Sequence, residues 1–140
     1  MAVVLLDTSV ASLFLPARRP RPERSLYEPH LKGNTLALSF QSVAELWKLA
    51  EKNNWSTRRR DALEAFVRRF LMIPYDYDLT RVWARLTAYE ELAGRPMDSA
   101  DAWIAATAVH RELTLYAHDR DFVRCTFPGL SVVSFLQDLS

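Results

Sequence analysis

The chain has 140 residues, 49% hydrophobic and 25% charged, the length and balance expected of one globular domain spanning residues 1–140 around a single core. No apolar run approaches the roughly 18 to 20 residues of a membrane span, and Asp7 interrupts the first such run too early for a signal peptide. With one cysteine, Cys125, an internal disulfide is excluded, three scattered histidines lack zinc-ligand spacing, and a reducing cytoplasm is the expected location.

In chain order, Ala2–Leu6 (AVVLL) opens as an uncharged apolar strand. Leu15–Pro22 (LPARRPRP) breaks helix and strand alike and reads as an exposed loop. A second strand is expected at Thr35–Ser39 (TLALS). Ala62, Leu63, Phe66, Val67 and Phe70 then recur at helical spacing, ahead of a third strand at Phe70–Pro74 (FLMIP). Leu79, Val82, Trp83, Leu86 and Ala93 form another helical stripe, which Gly94, Arg95 and Pro96 terminate. Ile104, Ala105, Ala108 and Val109 form the last stripe, followed by strands at Leu113–Ala117 (LTLYA) and Leu130–Phe135 (LSVVSF). The stripes are expected to face the core. Short two-sided strands alternating with helices predict an α/β fold with an open parallel sheet between helical layers.

The near-neutral net charge of +1 conceals 15 Arg against 3 Lys. They gather at Arg18, Arg19, Arg21 and Arg24, at Arg58, Arg59 and Arg60, and at Arg68 and Arg69. Guanidinium forks suit phosphate, but solvated helix faces produce the same pattern, and the clusters alone argue neither way.

Four acids carry more weight. In open α/β sheets ligands bind outside the carboxyl ends of the strands. Asp7 directly follows the first strand, Asp119 follows the fourth by two residues, Glu45 lies in the helix after the second, and Asp101 lies in the first turn of the helix leading to the fourth. Each has a local alternative. Asp7 can cap a short helix from Thr8, Ser42–Glu45 is a capping-box pattern, Asp98–Asp101 is nearly one, and Asp119 and Asp121 suit a turn. Capping does not require all of them at one sheet edge, however. Converging carboxylates repel and raise one another's pKa unless a cation neutralises them, and hard ions such as Mg²⁺ or Mn²⁺ are the expected partner of an all-oxygen site.

These segments resemble the PIN-domain ribonucleases, and among them the VapC toxins of toxin–antitoxin pairs. Val4-Leu5-Leu6-Asp7-Thr8-Ser9 is similar to the family's opening motif, and Ser42-Val43-Ala44-Glu45-Leu46 to the segment bearing the second acid. Asp101-Ala102-Trp103-Ile104-Ala105-Ala106-Thr107-Ala108 matches the most specific motif, and Leu115–Phe122 the closing one. One departure is Ala117, where members usually carry Thr or Ser. Its consequence is a missing hydroxyl near the metal and an open choice between Asp119 and Asp121.

The resemblance implies a three-layer α/β/α sandwich and Mg²⁺- or Mn²⁺-dependent endonucleolytic cleavage of RNA. Asp7, Asp101 and Asp119 would hold the metal, with Glu45 as a further ligand or as the group orienting the attacking water. Ser9 would add a hydrogen bond at the first corner, and Asp98 would cap its helix. A homodimer inhibited by a cognate antitoxin is implied too, with Trp47, Trp55 and Phe14 as candidate contact surface unless core burial claims them. Haloacid-dehalogenase-type phosphotransferases need a second Asp where Ser9 stands, and both these and receiver domains need a Lys at a later strand end that is absent. The remaining rival is a PIN-like module that binds RNA or protein without cutting.

Overall fold

The structure is a computed structural model, and it describes residues 2–16 and 19–136. Five strands, β1 (Val3–Leu6), β2 (Thr35–Ser39), β3 (Leu71–Ile73), β4 (Leu115–Tyr116) and β5 (Val132–Val133), form one sheet in the order β3-β2-β1-β4-β5. Every pairing is parallel, with Leu5 opposite both Ala37 and Leu115. All five expected strands are therefore present, β2 with the expected bounds and the other four shorter at their ends. β4 begins late because Glu112, in a left-handed conformation (φ 55°), closes the preceding helix and Leu113 N–H donates back to Ala108 C=O at 2.9 Å.

Side-chain alternation sends Val4, Leu6 and Leu38 to one face of the sheet and Leu5, Ala37, Ile73, Leu115 and Ala117 to the other. The first face is covered by α1 (Thr8–Ser12), α2 (Arg24–Leu31), α3 (Phe40–Lys52) and α4 (Thr57–Val67). The second is covered by α5 (Tyr77–Leu92), α6 (Ser99–Arg111) and α7 (Arg120–Arg124). The result is the expected three-layer α/β/α sandwich. α6 meets the sheet through Ala102, Ala105 and Ala108, whose small side chains let the helix lie close.

Some stripe positions differ from expectation. Ala62 and Ala93 are exposed, and Phe70 lies beyond the end of α4. A single methyl contributes little to the apolar drive, so it does not fix a helix's inward face. α2 was not anticipated, since it carries Pro29 internally and has only Tyr27 and Leu31 buried. Leu15–Pro22 is irregular where described, Ala17 and Arg18 lying outside the described residues. Gly94, at φ 78°, follows the Ala93 cap of α5 as its position requires.

Candidate metal centre and active site

Chain connections from β1 leave toward one side of the sheet, and those entering β4 arrive from the other. In such sheets ligands bind where that reversal occurs, here at the carboxyl ends of β1 and β4. Asp7 and Asp119 stand at these two ends, and Asp101 enters from the first turn of α6.

The local reading and the site reading are both realised for Asp7. Its Oδ1 accepts the Val10 N–H at 2.7 Å, capping α1, while Oδ2 accepts the Ser9 hydroxyl at 2.6 Å. Only 2% of Asp7 is exposed, and burial, with a smaller contribution from the Asp119 charge, pushes its carboxyl up to about 6 despite those hydrogen bonds. Asp119 likewise caps α7, its Oδ1 accepting the Asp121 N–H at 2.9 Å. That cap folds Asp121 back toward α6. One ligand oxygen from each of Asp101, Asp119 and Asp121 lies within 4.8 Å of the others, the one such group of three among the described residues. Burial and then the charge of Asp119, reinforced by Asp121 and Asp98, push the Asp101 carboxyl up to about 7.

The structure thus brings Asp101 and Asp119 together and adds Asp121, leaving Asp7 outside the group of three but within electrostatic reach of Asp119. Glu45 stands outside it and is anchored differently. The N-cap of α3 is Ser39, whose Oγ accepts the Ser42 N–H at 3.2 Å, so Ser42 and Glu45 form no capping box. Instead the Thr8 hydroxyl bonds to Glu45 Oε2, and the Gln41 amide donates to Oε1 at 3.3 Å. Thr8, not singled out from the sequence, therefore ties Glu45 to the residue beside Asp7. Asp98 caps α6 through the Ala100 N–H at 3.1 Å, as expected.

Ala117 is fully buried, its methyl within the apolar cluster that also holds Ala102, the neighbour of Asp101. Hydrogen bonding at this corner falls to Ser9, whose Oγ also accepts the His118 N–H at 3.2 Å. Behind it, the buried Tyr27 hydroxyl donates to Ala117 C=O at 3.1 Å, accepts Phe135 N–H at 3.1 Å and lies 2.6 Å from His118 Nδ1. Burial raises the Tyr27 hydroxyl above its ordinary pKa of 10 and keeps it neutral. Tyr27→Phe leaves these three groups without their common partner, and a loss of about 2 kcal/mol of stability is expected in urea denaturation. A loss within error of zero would show that the hydroxyl does not hold this corner.

Four of the nine clustered arginines have partners of their own. Arg24 pairs with Glu28, Arg60 with Glu51 and Arg68 with Glu64, while Arg59 stacks 3.9 Å from the Trp55 ring centroid. Trp47, Trp55 and Phe14 are all half-buried against the core, so none is wholly lost to it. Cys125 is free, and no described helix is long and apolar enough to cross a membrane.

Carboxylates gathered at a doubly wound switch point offer an all-oxygen donor set of the kind a hard divalent cation takes, and burial, with the charge of Asp119, raises the Asp7 and Asp101 carboxyls. Residues 4–128 match the family model described as PIN domain, and the chain belongs to that family. It is 31% identical to Toxin FitB of Neisseria gonorrhoeae over 127 residues, 84% of this chain and 88% of that protein. A shorter match, 42% over 50 residues, covers 36% of this chain and 37% of Ribonuclease VapC5 of Mycobacterium tuberculosis. Among solved structures, VapBC-5 of M. tuberculosis, a member of the VapBC family of toxin–antitoxin systems, superposes with a TM-score of 0.67 at 27% identity, covering 98% of this chain and 100% of that one.

Proposed function

We propose that this chain is a metal-dependent endoribonuclease and the toxin of a toxin–antitoxin pair, using Mg²⁺ or Mn²⁺. The observation that carries the reading is the convergence of Asp101, Asp119 and Asp121 within 4.8 Å beside the buried Asp7. Asp7, Asp101 and Asp119 are the proposed ligands, with Glu45 as a further ligand or as the group that orients the attacking water; Asp121 joins them on geometry. Once bound, the ion would stabilise charge developing at the scissile phosphate and lower the pKa of a bound water.

The protein's own part is orientation. Thr8 and Gln41 each hold one oxygen of Glu45, fixing the carboxylate so that its remaining lone pairs can accept a proton from the attacking water. Ser9 and the Val10 N–H similarly fix the two oxygens of Asp7. The family match and the likeness to FitB, VapC5 and VapBC-5 support a cognate antitoxin as partner. A homodimer belongs to the same reading, and the half-buried Phe14, Trp47 and Trp55 offer apolar edges for such contacts.

Purified protein should cut structured RNA with Mg²⁺ or Mn²⁺ and leave it intact in EDTA. Cleavage that survives chelation would overturn the metal requirement, and none under any condition would favour a module that binds without cutting.

A further inference from the structure

Glu90, in α5, is a buried charge that the proposed reaction does not use. Only 1% of it is exposed, and a carboxylate taken out of water must be paired and hydrogen-bonded. Both of its oxygens are. Oε1 accepts the Thr126 N–H at 2.7 Å, and Oε2 accepts from Arg95 Nη2 at 3.3 Å. The same Nη2 donates to the Thr126 hydroxyl at 2.6 Å. Arg95, in the loop between α5 and α6, is thereby fixed at one end of its guanidinium, while its Nε and Nη1 have no partner among the described residues. Arg95 lines a cavity of about 270 Å³ together with Asp121, Arg124 and Cys125. Asp121 belongs to the acidic group of three, so the cavity and the candidate metal centre share a wall. Arg124 stands one helical turn after Asp121 on α7, is exposed, and forms no ion pair or hydrogen bond among the described residues. Burial pushes the Cys125 thiol up to about 11, so it stays neutral and adds no negative charge.

Two guanidinium groups with unused N–H donors on one cavity wall, one of them held in place by a buried carboxylate, suit an anion with several oxygens, and phosphate foremost. The substrate of a nuclease is itself a chain of phosphates. When one phosphodiester lies at the acidic group, its neighbour in the strand falls beside that group, where the shared wall leads to Arg124 and Arg95. We propose that Arg95 and Arg124 form a subsite for the RNA phosphodiester adjoining the one that is cut, a proposal that rests on the ribonuclease reading above. Glu90 is a positioning residue here: it holds Arg95 and touches no substrate. Phosphate contacts carry no sequence information, so the subsite sets how far the strand is drawn along the acids and not which base is chosen. Asp121 gives the subsite a recognisable electrostatic signature, since in the metal-free protein its carboxylate opposes a phosphate at the wall that Arg124 favours.

The test is binding of a short, fluorescently labelled single-stranded RNA to the full chain in EDTA, followed by anisotropy across a series of salt concentrations, with the RNA checked intact on a gel. Arg124→Gln should weaken binding roughly 10-fold at low salt. It should also reduce the slope of log affinity against log salt by about 0.7, the counterion share of one single-strand phosphate. Arg124 has no partner to lose, so its replacement should leave the melting temperature unchanged. Arg95→Lys keeps the charge that Glu90 needs but gives up the fork, and it should weaken binding as well. Asp121→Asn should act in the opposite direction and tighten it. Arg111→Gln, at the far end of α6 and paired with Asp76, serves as the control and should match the wild type. Equal losses in Arg111→Gln and Arg124→Gln would reduce the effect to overall charge and overturn the subsite. So would an Arg124→Gln protein with wild-type affinity and slope; if that protein had lost antitoxin affinity instead, Arg124 would belong to an acidic protein partner. RNA that binds through Arg124 but is never cut with Mg²⁺ or Mn²⁺ would support the subsite while overturning the nuclease reading. Metal-dependent cleavage by a chain whose RNA affinity ignores Arg124 would do the reverse.

Discussion

Asp7→Asn is expected to reduce RNA cleavage by roughly a thousand-fold, the scale of several kcal/mol of metal-assisted stabilisation, and at the same time to stabilise the metal-free protein. The second effect follows from burial. The Asp7 carboxyl sits at about 6 in the folded chain against an ordinary 3.8, so the folded state holds its proton more tightly than the unfolded one. The corresponding stability is fully present below the unfolded value and is lost as pH rises to the folded one. Above that, the ionised Asp7 costs on the order of 3 kcal/mol. Asparagine carries no charge and can still cap α1 by accepting the Val10 N–H. The variant should therefore exceed the wild type in stability by about 2 to 3 kcal/mol in EDTA near pH 7.5, with the gap closing toward about pH 4. Urea denaturation at the two pH values checks this. A gap of the same size at both would remove burial of charge as its cause.

That one residue is both a helix cap and a proposed ligand explains why the site was only partly legible in sequence. Asp7 and Asp119 occupy strand ends, and a strand end is visible as the point where an apolar run stops. Asp101 was legible because α6 is long enough to show a helical period. Asp121 was legible only as an alternative to Asp119, and not as its companion, because α7 has five residues, too few for a periodic signal. Glu45 suggested a local partner, Ser42, whereas besides Gln41 it is held by Thr8, 37 positions away. A hydrogen bond across two layers leaves no mark in local spacing. The same holds for Tyr27, which meets Ala117 and His118 from 90 and 91 positions away, and for the burial of Ala117 just past β4. Architecture, set by the rhythm of apolar residues, was readable except at α2, whose inward face has only Tyr27 and Leu31 buried; side-chain partnerships across elements were not.

Divalent-ion binding should weaken steeply as pH falls below about 7, because protons and metal compete for the same oxygens. Asp101, pushed up to about 7 by burial and by Asp119, binds the competing proton first, and Asp7, at about 6, binds the next. At pH 7 ion binding should release roughly half a proton, rising to about one near pH 6.5, and Mn²⁺ affinity should fall by up to about 10-fold per pH unit as Asp101 becomes fully protonated. Calorimetric titration in buffers of differing ionisation enthalpy measures the proton directly. Asp101→Asn removes both the charge and the titration: its Mn²⁺ affinity should drop, the pH dependence around 7 should vanish, and cleavage should fall roughly a thousand-fold. Asp121→Asn separates the geometric cluster from the expected corners. If Asp121 is a ligand, its loss weakens Mn²⁺ binding as the loss of Asp119 does. If it only raises the pKa of Asp101 by proximity, its removal lowers that pKa, and the variant binds Mn²⁺ more tightly than the wild type below neutral pH. An affinity that is flat with pH in the wild type would mean that the ion does not bind to Asp101.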